Sequence, residues 1–266
     1  ADIDFKNPEV VEELNKWGKW YVETTGIDGF RLDAVKHISA DFYKNWIQDM
    51  RDVSKDELFA VGEYWSGDVS KLHRYITETE GKISLFDVPL HYNLYNASKD
   101  FNYDLSKIFE HTLVKENPAK AVTFVDNHET QPGQSLTSVV EPWFKQAAYS
   151  LILLRSDGYP CVFYGDYFGI GHDKVSHVKN IRTMIELRKE KAYGIQHDYF
   201  DNPNYIGWTL EGDDEHISSG LAVVITNKGN GQKKMYVGIK HAGEKYIDAL
   251  SNCQDEVIID QEGYGE

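Results

Sequence analysis

Cysteine, positive charge and long hydrophobic runs are all scarce in this 266-residue sequence. Its two cysteines, Cys161 and Cys253, match no metal-binding spacing, so we expect free thiols, with Cys161 in a buried strand. No apolar run reaches the roughly 18 residues that a membrane span requires. Lys and Arg number 28 against 43 Asp and Glu, a formal charge of −15, which argues against a surface for nucleic acid or anionic lipid. The expected partners are neutral or cationic molecules.

Apolar residues are abundant enough for a packed core, since hydrophobic residues make up 41% of the chain and aromatic residues 13%. Strand and helix patterns alternate through most of the sequence, which favours a parallel sheet with crossover helices, either an open sheet or a barrel. The predicted strands are 27–35, 58–61, 84–90, 121–126 and 159–164. The clearest later helices are predicted at 142–155 and 178–189.

The first two helices carry start signals. Asn7 is the predicted N-cap of the first, with Pro8 at its first position and its end near Gly26. Ser39 is the predicted N-cap of the second. The apolar stripes predicted for these helices are Val10, Leu14, Trp17 and Tyr21 in the first and Phe42, Trp46 and Met50 in the second.

The pattern of apolar and polar residues changes after about Gly194. Short apolar runs at 221–225, 235–239 and 257–259 are separated by Gly, Asn and Asp clusters, which predicts a small antiparallel β domain. We therefore expect two domains, 1–193 and 194–266. A complete eight-stranded barrel takes about 250 residues. Because five strands already occupy the chain up to about Lys191, a barrel would need three further strands upstream.

Charged residues lie in one predicted strand and directly after another, and the C-terminal ends of such strands are where barrels and doubly wound sheets place active sites. Arg31 and Asp33 lie on one face of the strand 27–35, and a catalytic pair and a buried structural ion pair are equally good interpretations. Glu63 directly follows the next apolar strand, beside Trp65, an aromatic residue able to stack on a ring. A loop carboxylate beside a core tryptophan is the alternative.

A third polar group, Asp126 to Glu129, follows a later strand. A solvated turn would explain this group taken alone. Three such sites on different strands favour a shared function, because glycoside hydrolysis by two carboxylates needs acidic groups that converge.

Three motifs at these sites resemble the α-amylase family of glycoside hydrolases, and within it the bacterial liquefying group. They are GFRLDAVKH at 29–37, GEYW at 62–65 and FVDNH at 124–128, and the blocks 131–134 and 194–200 are also similar. The resemblance covers nearly the whole chain. It implies an α/β fold with strands 4 to 8 of a (β/α)8 TIM barrel, followed by a small antiparallel β domain. The N-terminal barrel strands and domain B would be absent from this chain.

The resemblance also implies roles for individual residues in retaining endo-hydrolysis of α-1,4-glucosidic bonds of starch. Asp33 would be the nucleophile, held ionised by Arg31, and Glu63 the general acid/base with a raised pKa. Glu129 stands where the family has an aspartate that stabilises the transition state. The residues assigned to substrate binding are Arg31, Lys36, His37, Trp65 and His128, although for Lys36 a solvated surface lysine is equally compatible with the sequence.

The resemblance further implies a secreted protein that binds calcium through Asp2 and the backbone carbonyl of His37, with Asp4 as a possible additional ligand. Calcium takes six to eight oxygen ligands, so the remaining ligands would come from the missing domain B. The expected partners are an α-glucan and the missing N-terminal segment, as part of a longer chain or as a companion fragment.

Two other interpretations of the function remain open from the sequence. One is a transglycosylase or an oligosaccharide-forming amylase of the same family. The other is a non-catalytic or impaired starch-binding fragment, which the missing strands and Glu129 favour.

Overall fold

A computed structural model describes residues 3–54 and 57–266, apart from the side chain of Asp173. Asp2, one of the predicted calcium ligands, lies outside these residues. The helices are α1 (Pro8–Thr25), α2 (Ala40–Val53), α3 (Val69–Glu78), α4 (Val88–Lys99), α5 (Leu113–Glu116), α6 (Pro142–Leu153), α7 (Tyr164–Phe168) and α8 (Ile181–Lys191). None of the helices among the described residues is long and apolar enough to cross a membrane.

The strands fall into a parallel group and an antiparallel group. The first group is β1 (Gly29–Leu32), β2 (Phe59–Gly62), β3 (Ser84–Phe86), β4 (Ala121–Phe124) and β5 (Tyr159–Cys161). The second is β6 (Gln196–Tyr199), β7 (Tyr205–Leu210), β8 (Leu221–Thr226), β9 (Met235–Tyr236), β10 (Lys245–Ile247), β11 (Glu256–Ile258) and β12 (Tyr264–Gly265). The chain folds as two compact units, residues 1–90 with 111–123, and residues 91–110 with 124–266.

The first unit contains a parallel sheet in which β1, β2, β3 and β4 are neighbours in that order. Phe30 lies opposite Ala60, Val61 opposite Ser84, and Leu85 opposite Ala121. Parallel strands need helical crossovers, and α2 and α3 supply those between β1, β2 and β3. The predicted alternation of strands and helices is confirmed here.

The helix α1 packs on α2 through a face that only partly matches the predicted stripe. Its N-cap Asn7 and the left-handed Gly26 at its end are confirmed. The predicted stripe is wrong at Trp17, which is 49% exposed, because the contact is centred on Gly18 and Val22. A Cβ on Gly18 would lie 2.6 Å from atoms of Trp46 and Met50, so glycine permits the two helices to approach closely.

Two predicted strands are shorter than expected. The strand 27–35 ends at Leu32, because Ala34 has a left-handed backbone (φ 46°) and a 3-10 turn follows at Val35–His37. The strand 84–90 ends at Phe86, since Pro89 lies in the first turn of α4, where its missing N–H is tolerated. There the buried carboxylate of Asp87 accepts a hydrogen bond from the backbone N–H of Leu90 at 3.0 Å.

The Asp87 carboxylate also organises the start of α5. It accepts hydrogen bonds from the backbone N–H groups of Leu113 (3.1 Å) and Val114 (2.7 Å). One fully buried acidic group thus satisfies N–H groups at the beginnings of two helices that would otherwise have no partner. Burial raises its pKa to about 6, against the opposing effect of the three backbone hydrogen bonds.

The second unit holds α6, α8 and the antiparallel strands. The strands pair as β6–β7–β8, β9–β12 and β10–β11. The fully buried Trp208 on β7 donates its indole N–H to the carbonyl of Leu154, next to the end of α6, at 2.7 Å. Antiparallel pairing after about Gly194 therefore agrees with the sequence.

Arg155 fixes the junction between α6 and these strands. Its guanidinium makes two bonds to the carboxylate of Asp198, at 2.7 and 2.9 Å. The same group lies over the rings of Phe109, Phe200 and Trp208, 4.8 to 5.5 Å from their centroids. Only 6% of the Arg155 side chain is exposed, against 38% for Asp198, so a buried guanidinium makes a bidentate bond to a partly exposed carboxylate.

The strand β5 differs most from expectation. The run 159–164 was predicted to be a buried strand, but β5 ends at Cys161, and both Tyr159 and Cys161 are exposed. Cys161 and Cys253 are free thiols, as predicted. The prediction that Cys161 lies in a buried strand is therefore wrong.

Candidate active site

Arg31 joins the first two predicted carboxylates. Its Nη1 lies 2.6 Å from Oδ1 of Asp33, and its Nη2 lies 2.9 Å from Oε2 of Glu63. The two acids come from consecutive strands and meet because β1 and β2 are parallel, with Leu32 opposite Gly62. The predicted pair of Arg31 with Asp33 is present, and the second bond from Arg31 to Glu63 was not predicted.

The two carboxylates lie in contrasting surroundings. The Asp33 side chain is 71% exposed, whereas the Glu63 side chain is only 8% exposed. Burial raises the pKa of Glu63, the charge of Arg31 opposes that rise, and Asp33 adds to it. The surroundings of Glu63 therefore favour its protonated form more than those of an exposed carboxyl would, which is what a general acid requires.

The backbone around the pair is set by the turn after β1. The N–H of Glu63 donates to the carbonyl of Leu32 (2.8 Å), and the N–H of Val35 donates to the carbonyl of Glu63 (3.1 Å). Between them Ala34 has a left-handed backbone that a residue with a Cβ rarely adopts. This conformation presents Asp33 to solvent while Val35 is fully buried beneath it.

The Glu63 carboxylate has one bonded oxygen and one open oxygen. Oε2 accepts from Arg31 and makes a long contact of 3.5 Å with the N–H of Ala34. Oε1 is buried and accepts no hydrogen bond from the described residues. Because a protonated acid keeps its proton on the oxygen that is not bound to donors, Oε1 is the oxygen placed to carry it.

Three further predicted substrate residues belong to the same unit. Lys36 is exposed and donates through Nζ to the backbone carbonyl of Trp65 at 3.3 Å. His37 is exposed at the end of the 3-10 turn, and Trp65 is half-buried two residues beyond Glu63. This hydrogen bond to a backbone carbonyl keeps Lys36 beside Trp65. The bond does not pair the charge of the lysine with a carboxylate.

Glu129 and His128 lie in the turn that follows β4, in the second unit. The side-chain oxygen of Asn127 accepts from the backbone N–H groups of Glu129 (2.8 Å) and Thr130 (2.9 Å). Glu129 is half-buried and His128 is exposed. The turn is ordered by its own hydrogen bonds, and convergence of Glu129 with Asp33 and Glu63 stays a prediction.

The described residues do not form a metal site on their own. They contain no group of three or more His, Cys, Asp or Glu residues that could hold a metal ion. Asp4 is exposed, and its Oδ1 accepts from the backbone N–H of Lys6 at 2.9 Å, in a local turn. With Asp4 and the His37 carbonyl alone, a calcium ion would lack most of its six to eight ligands.

Sequence reasoning missed a buried charge cluster behind the turn of Glu129. Lys145, on α6, bonds Asp126 at 2.8 Å and also bonds Asp166 on α7. A signal existed in the sequence, since Lys145 is the one charged residue among the mainly apolar residues 143–154. A cavity of about 240 Å³ adjoins the cluster and is lined in part by Asp126, Lys145 and Trp143.

Sequence comparison with known proteins finds matches along the whole chain. The model of the family "Alpha amylase, catalytic domain" matches residues 1–210. An α-amylase of Geobacillus stearothermophilus is 53% identical over all of this chain and 49% of its own length. A glucan 1,4-alpha-maltohexaosidase of Bacillus sp. (strain 707) is 49% identical over all of the chain and 52% of its own length.

A solved structure agrees on the fold. The crystal structure of an Anoxybacillus α-amylase superposes with a TM-score of 0.75 at 21% identity, covering all of this chain and 61% of that one. The chain thus spans about half the length of the curated relatives it matches. The predicted fold, a part of a (β/α)8 barrel that corresponds to the C-terminal half of such proteins, is confirmed.

Proposed function

Because the chain belongs to the α-amylase family, we propose that it takes part in retaining endo-hydrolysis of α-1,4-glucosidic bonds in starch and related α-glucans. The observation that carries the proposal is the bridge of Arg31 between an exposed and a buried carboxylate, Asp33 and Glu63. Retaining enzymes use two such acids in different protonation states.

The geometry supports a two-step reaction. Asp33 attacks the anomeric carbon as the bond to the leaving oxygen breaks, and Glu63 gives its proton to that oxygen. A water molecule then loses a proton to Glu63 and attacks the same carbon, releasing Asp33. We expect the carboxyl groups of the two acids to lie roughly 5 to 5.5 Å apart, as in retaining enzymes.

The remaining roles follow the same proposal. Lys36, His37, Trp65 and His128 contact the sugar, and Glu129 hydrogen-bonds its hydroxyls in the transition state. Calcium binding needs oxygen ligands from outside the described residues, and no step above depends on it. Secretion is proposed only from the similarity to the bacterial liquefying group of the family.

Catalysis is proposed to require a companion N-terminal segment, which supplies the other barrel strands. Large aromatic side chains are exposed in each unit: Trp17, Trp20 and Phe59 in the first, and Tyr159, Tyr164 and Phe168 in the second. Tyr164 and Phe168 adjoin each other, with ring centroids 4.7 Å apart, and contiguous exposed apolar groups often mark an interaction surface. The matched relatives are about twice as long, which is consistent with a missing segment that covers these side chains.

Product analysis on soluble starch tests the proposal. The chain, alone and combined with the N-terminal half of the Geobacillus relative, is incubated with starch, and reducing ends and their anomeric form are followed by NMR. We expect the combined protein to release mixed-length oligosaccharides with the α-anomer formed first. Release of the β-anomer would overturn the retaining mechanism, and starch co-sedimentation without reducing ends would favour the non-catalytic alternative.

A second candidate function has one observation in its favour. A relative 49% identical to the chain is a glucan 1,4-alpha-maltohexaosidase, a name that describes an enzyme releasing one fixed oligosaccharide. In the same experiment, a single dominant product length from the earliest time would support this alternative over random endo-hydrolysis.

A further inference from the structure

The turn that carries His128 and Glu129 depends on a buried carboxylate. The Thr130 hydroxyl accepts from the backbone N–H of Asn127 at 2.9 Å and donates to Oδ1 of Asp126 at 3.1 Å. The same Oδ1 accepts from the N–H of Val140 at 3.3 Å, so Asp126 holds both ends of the loop 127–140. Any displacement of Asp126 is transmitted directly to this turn.

Asp126 is in turn held by Lys145. Its Oδ2 lies 2.8 Å from Nζ of Lys145, and the same ammonium bonds Oδ1 of Asp166. The hydroxyl of Tyr149 donates to Oδ2 of Asp166 at 2.7 Å. The exposed fraction of the side chain is 8% for Lys145, 1% for Asp126 and 0% for Asp166.

The cluster has one more negative than positive group. Two buried carboxylates share one ammonium, and a lone buried charge is far more costly than a paired one. Burial raises the pKa of Asp126 to about 6, Lys145 lowers it and Asp166 raises it. The two carboxylates raise the pKa of Lys145 more than burial lowers it, so the lysine stays charged.

The other groups around the cluster do not replace Lys145. His91 on α4 is buried, and its pKa is lowered to about 4, mainly by burial, so it is neutral at ordinary pH. It donates through Nδ1 to the carbonyl of Val125 at 2.6 Å. Lys174, His177 and Lys179, which line the adjoining cavity, are exposed.

We propose that Lys145 is a positioning residue for Glu129, acting through Asp126 and Thr130. The ammonium ties the loop after β4 to α6 and α7, which sets where the Glu129 carboxylate stands. The effect of Lys145 on catalysis rests on the proposed function, whereas its effect on the turn after β4 does not.

Amide hydrogen exchange in the full chain tests the structural part. The variants are Lys145→Met and Lys145→Arg, with Lys99→Met as a matched control that removes an exposed lysine bonded to Glu141 in the same unit. At pH 7.5 we expect Lys145→Met to reduce protection of the Glu129 and Thr130 amides by about 10-fold or more, because Asp126 loses its buried partner. Lys145→Arg and Lys99→Met should retain most of that protection.

The pH response separates a charge effect from a packing effect. In Lys145→Met the loss of protection should be smaller at pH 5 than at pH 7.5, because protonation of Asp126 removes one unpaired charge. Asp166→Asn should leave the turn protected at both pH values, since one ammonium then matches one carboxylate. If Lys145→Met does not fold, Lys145→Gln, which removes the charge but keeps a polar group, replaces it and should show the same pH-dependent loss of protection.

Several outcomes would overturn the proposal. They are unchanged protection of Glu129 in Lys145→Met, an equal loss of protection throughout the second unit, or loss of protection in Asp166→Asn. In a preparation that hydrolyses maltoheptaose, Lys145→Met should lower kcat more than it raises KM, and Lys145→Arg should restore kcat. If no preparation hydrolyses the glucan, the proposed function fails while the exchange experiment still decides the positioning role.

Discussion

At the scale of single residues, Arg31 joins two acids that differ in burial. It donates one nitrogen to exposed Asp33 and another to buried Glu63. Water shares the stabilisation of Asp33, whereas Glu63 depends on the guanidinium to offset its burial. We therefore expect the positive charge of Arg31 to affect Glu63, the proposed general acid, more than Asp33.

Replacing Arg31 with methionine should raise the pKa of Glu63. The charge of Arg31 lowers that pKa in the wild-type protein, so its removal leaves burial and Asp33, which both raise it. The measurement is a pH titration of the 13C-labelled Glu63 carboxyl by NMR. Arg182→Met, which removes an exposed arginine bonded to Glu186, is the control and should leave the Glu63 titration unchanged.

Replacing Glu129 with aspartate should raise kcat of the active enzyme by about 10-fold or more, equivalent to roughly 1.4 kcal/mol. Glutamate keeps the charge but displaces the carboxylate by about one carbon–carbon bond, and a misplacement of about 1 Å can cost on the order of 10²-fold in rate. Substrate binding should change much less. Steady-state kinetics on maltoheptaose measures both, and an unchanged or lower kcat would mean that the cleft is adapted to glutamate.

The residue types at the site could be identified from the sequence, but most of their contacts could not be predicted from it. Arg31 and Asp33 are two positions apart, so their pairing could be predicted locally. Glu63 is distant in sequence, and its bond to Arg31 depends on the register of β1 against β2, which local patterns do not encode. Lys145 was missed because a lone lysine in an apolar helix does not reveal which buried carboxylates it meets.

At the scale of elements, Arg155 links the end of α6 to β6 and β7. Lysine at this position would lose the bidentate bond to Asp198 and the packing of a flat guanidinium on three rings. We expect Arg155→Lys to lower the free energy of unfolding by about 1.5 kcal/mol, the order of one hydrogen bond to a charged group, because lysine keeps the positive charge. Urea unfolding followed by circular dichroism measures this, and Arg182→Lys, at an exposed site on α8, should change it little.

Asp87 should make the start of α4 and α5 sensitive to pH. Its pKa of about 6 lies above the ordinary 3.8, so the folded chain binds the proton more tightly than the unfolded chain. The stabilisation from protonation is full below about pH 4 and is lost as the pH rises through about 6.

Asparagine at position 87 cannot titrate, so the difference in unfolding free energy between wild type and Asp87→Asn should be larger at pH 4 than at pH 7. Urea unfolding at the two pH values tests this, with Asp28→Asn at an exposed position as the control. A difference that stays constant, or that grows towards pH 7, would contradict the raised pKa.

Element types were easier to predict than element ends. Caps and periodicity correctly indicated α1, α2 and the alternation of parallel strands with helices. The ends of β1 and β3 were placed too late, because a left-handed alanine and a proline in the first turn of a helix leave the apolar pattern unbroken. The contact face of α1 was also misassigned, since periodicity detects bulky side chains and Gly18 has none.

At the scale of the whole molecule, the exposed aromatic residues determine how the chain should behave in solution. Tyr164 and Phe168 are 65% and 63% exposed, and their ring centroids are 4.7 Å apart. We expect the chain alone to self-associate with rising concentration in sedimentation velocity. Addition of the N-terminal half of the relative should suppress this association, whereas an equal amount of serum albumin should not.

A monomeric chain at all concentrations would contradict that expectation. Tyr164→Ser with Phe168→Ser should reduce association of the chain alone, and Ile217→Ser, at an 89% exposed isoleucine elsewhere in the second unit, is the matched control. The domain boundary near residue 193 stays a prediction, since the two compact units divide the chain elsewhere.

The unexpected exposure of β5 supplies a chemical reporter. Cys161 lies on that strand and is exposed, although nearby groups cover enough of its thiol to raise the pKa. Cys253 is also exposed and lies beside β11, so the chain carries a test thiol and an internal reference. If a companion segment closes a barrel against β5, alkylation of Cys161 should slow while that of Cys253 continues unchanged, and mass spectrometry of the labelled peptides would then time barrel closure without any substrate.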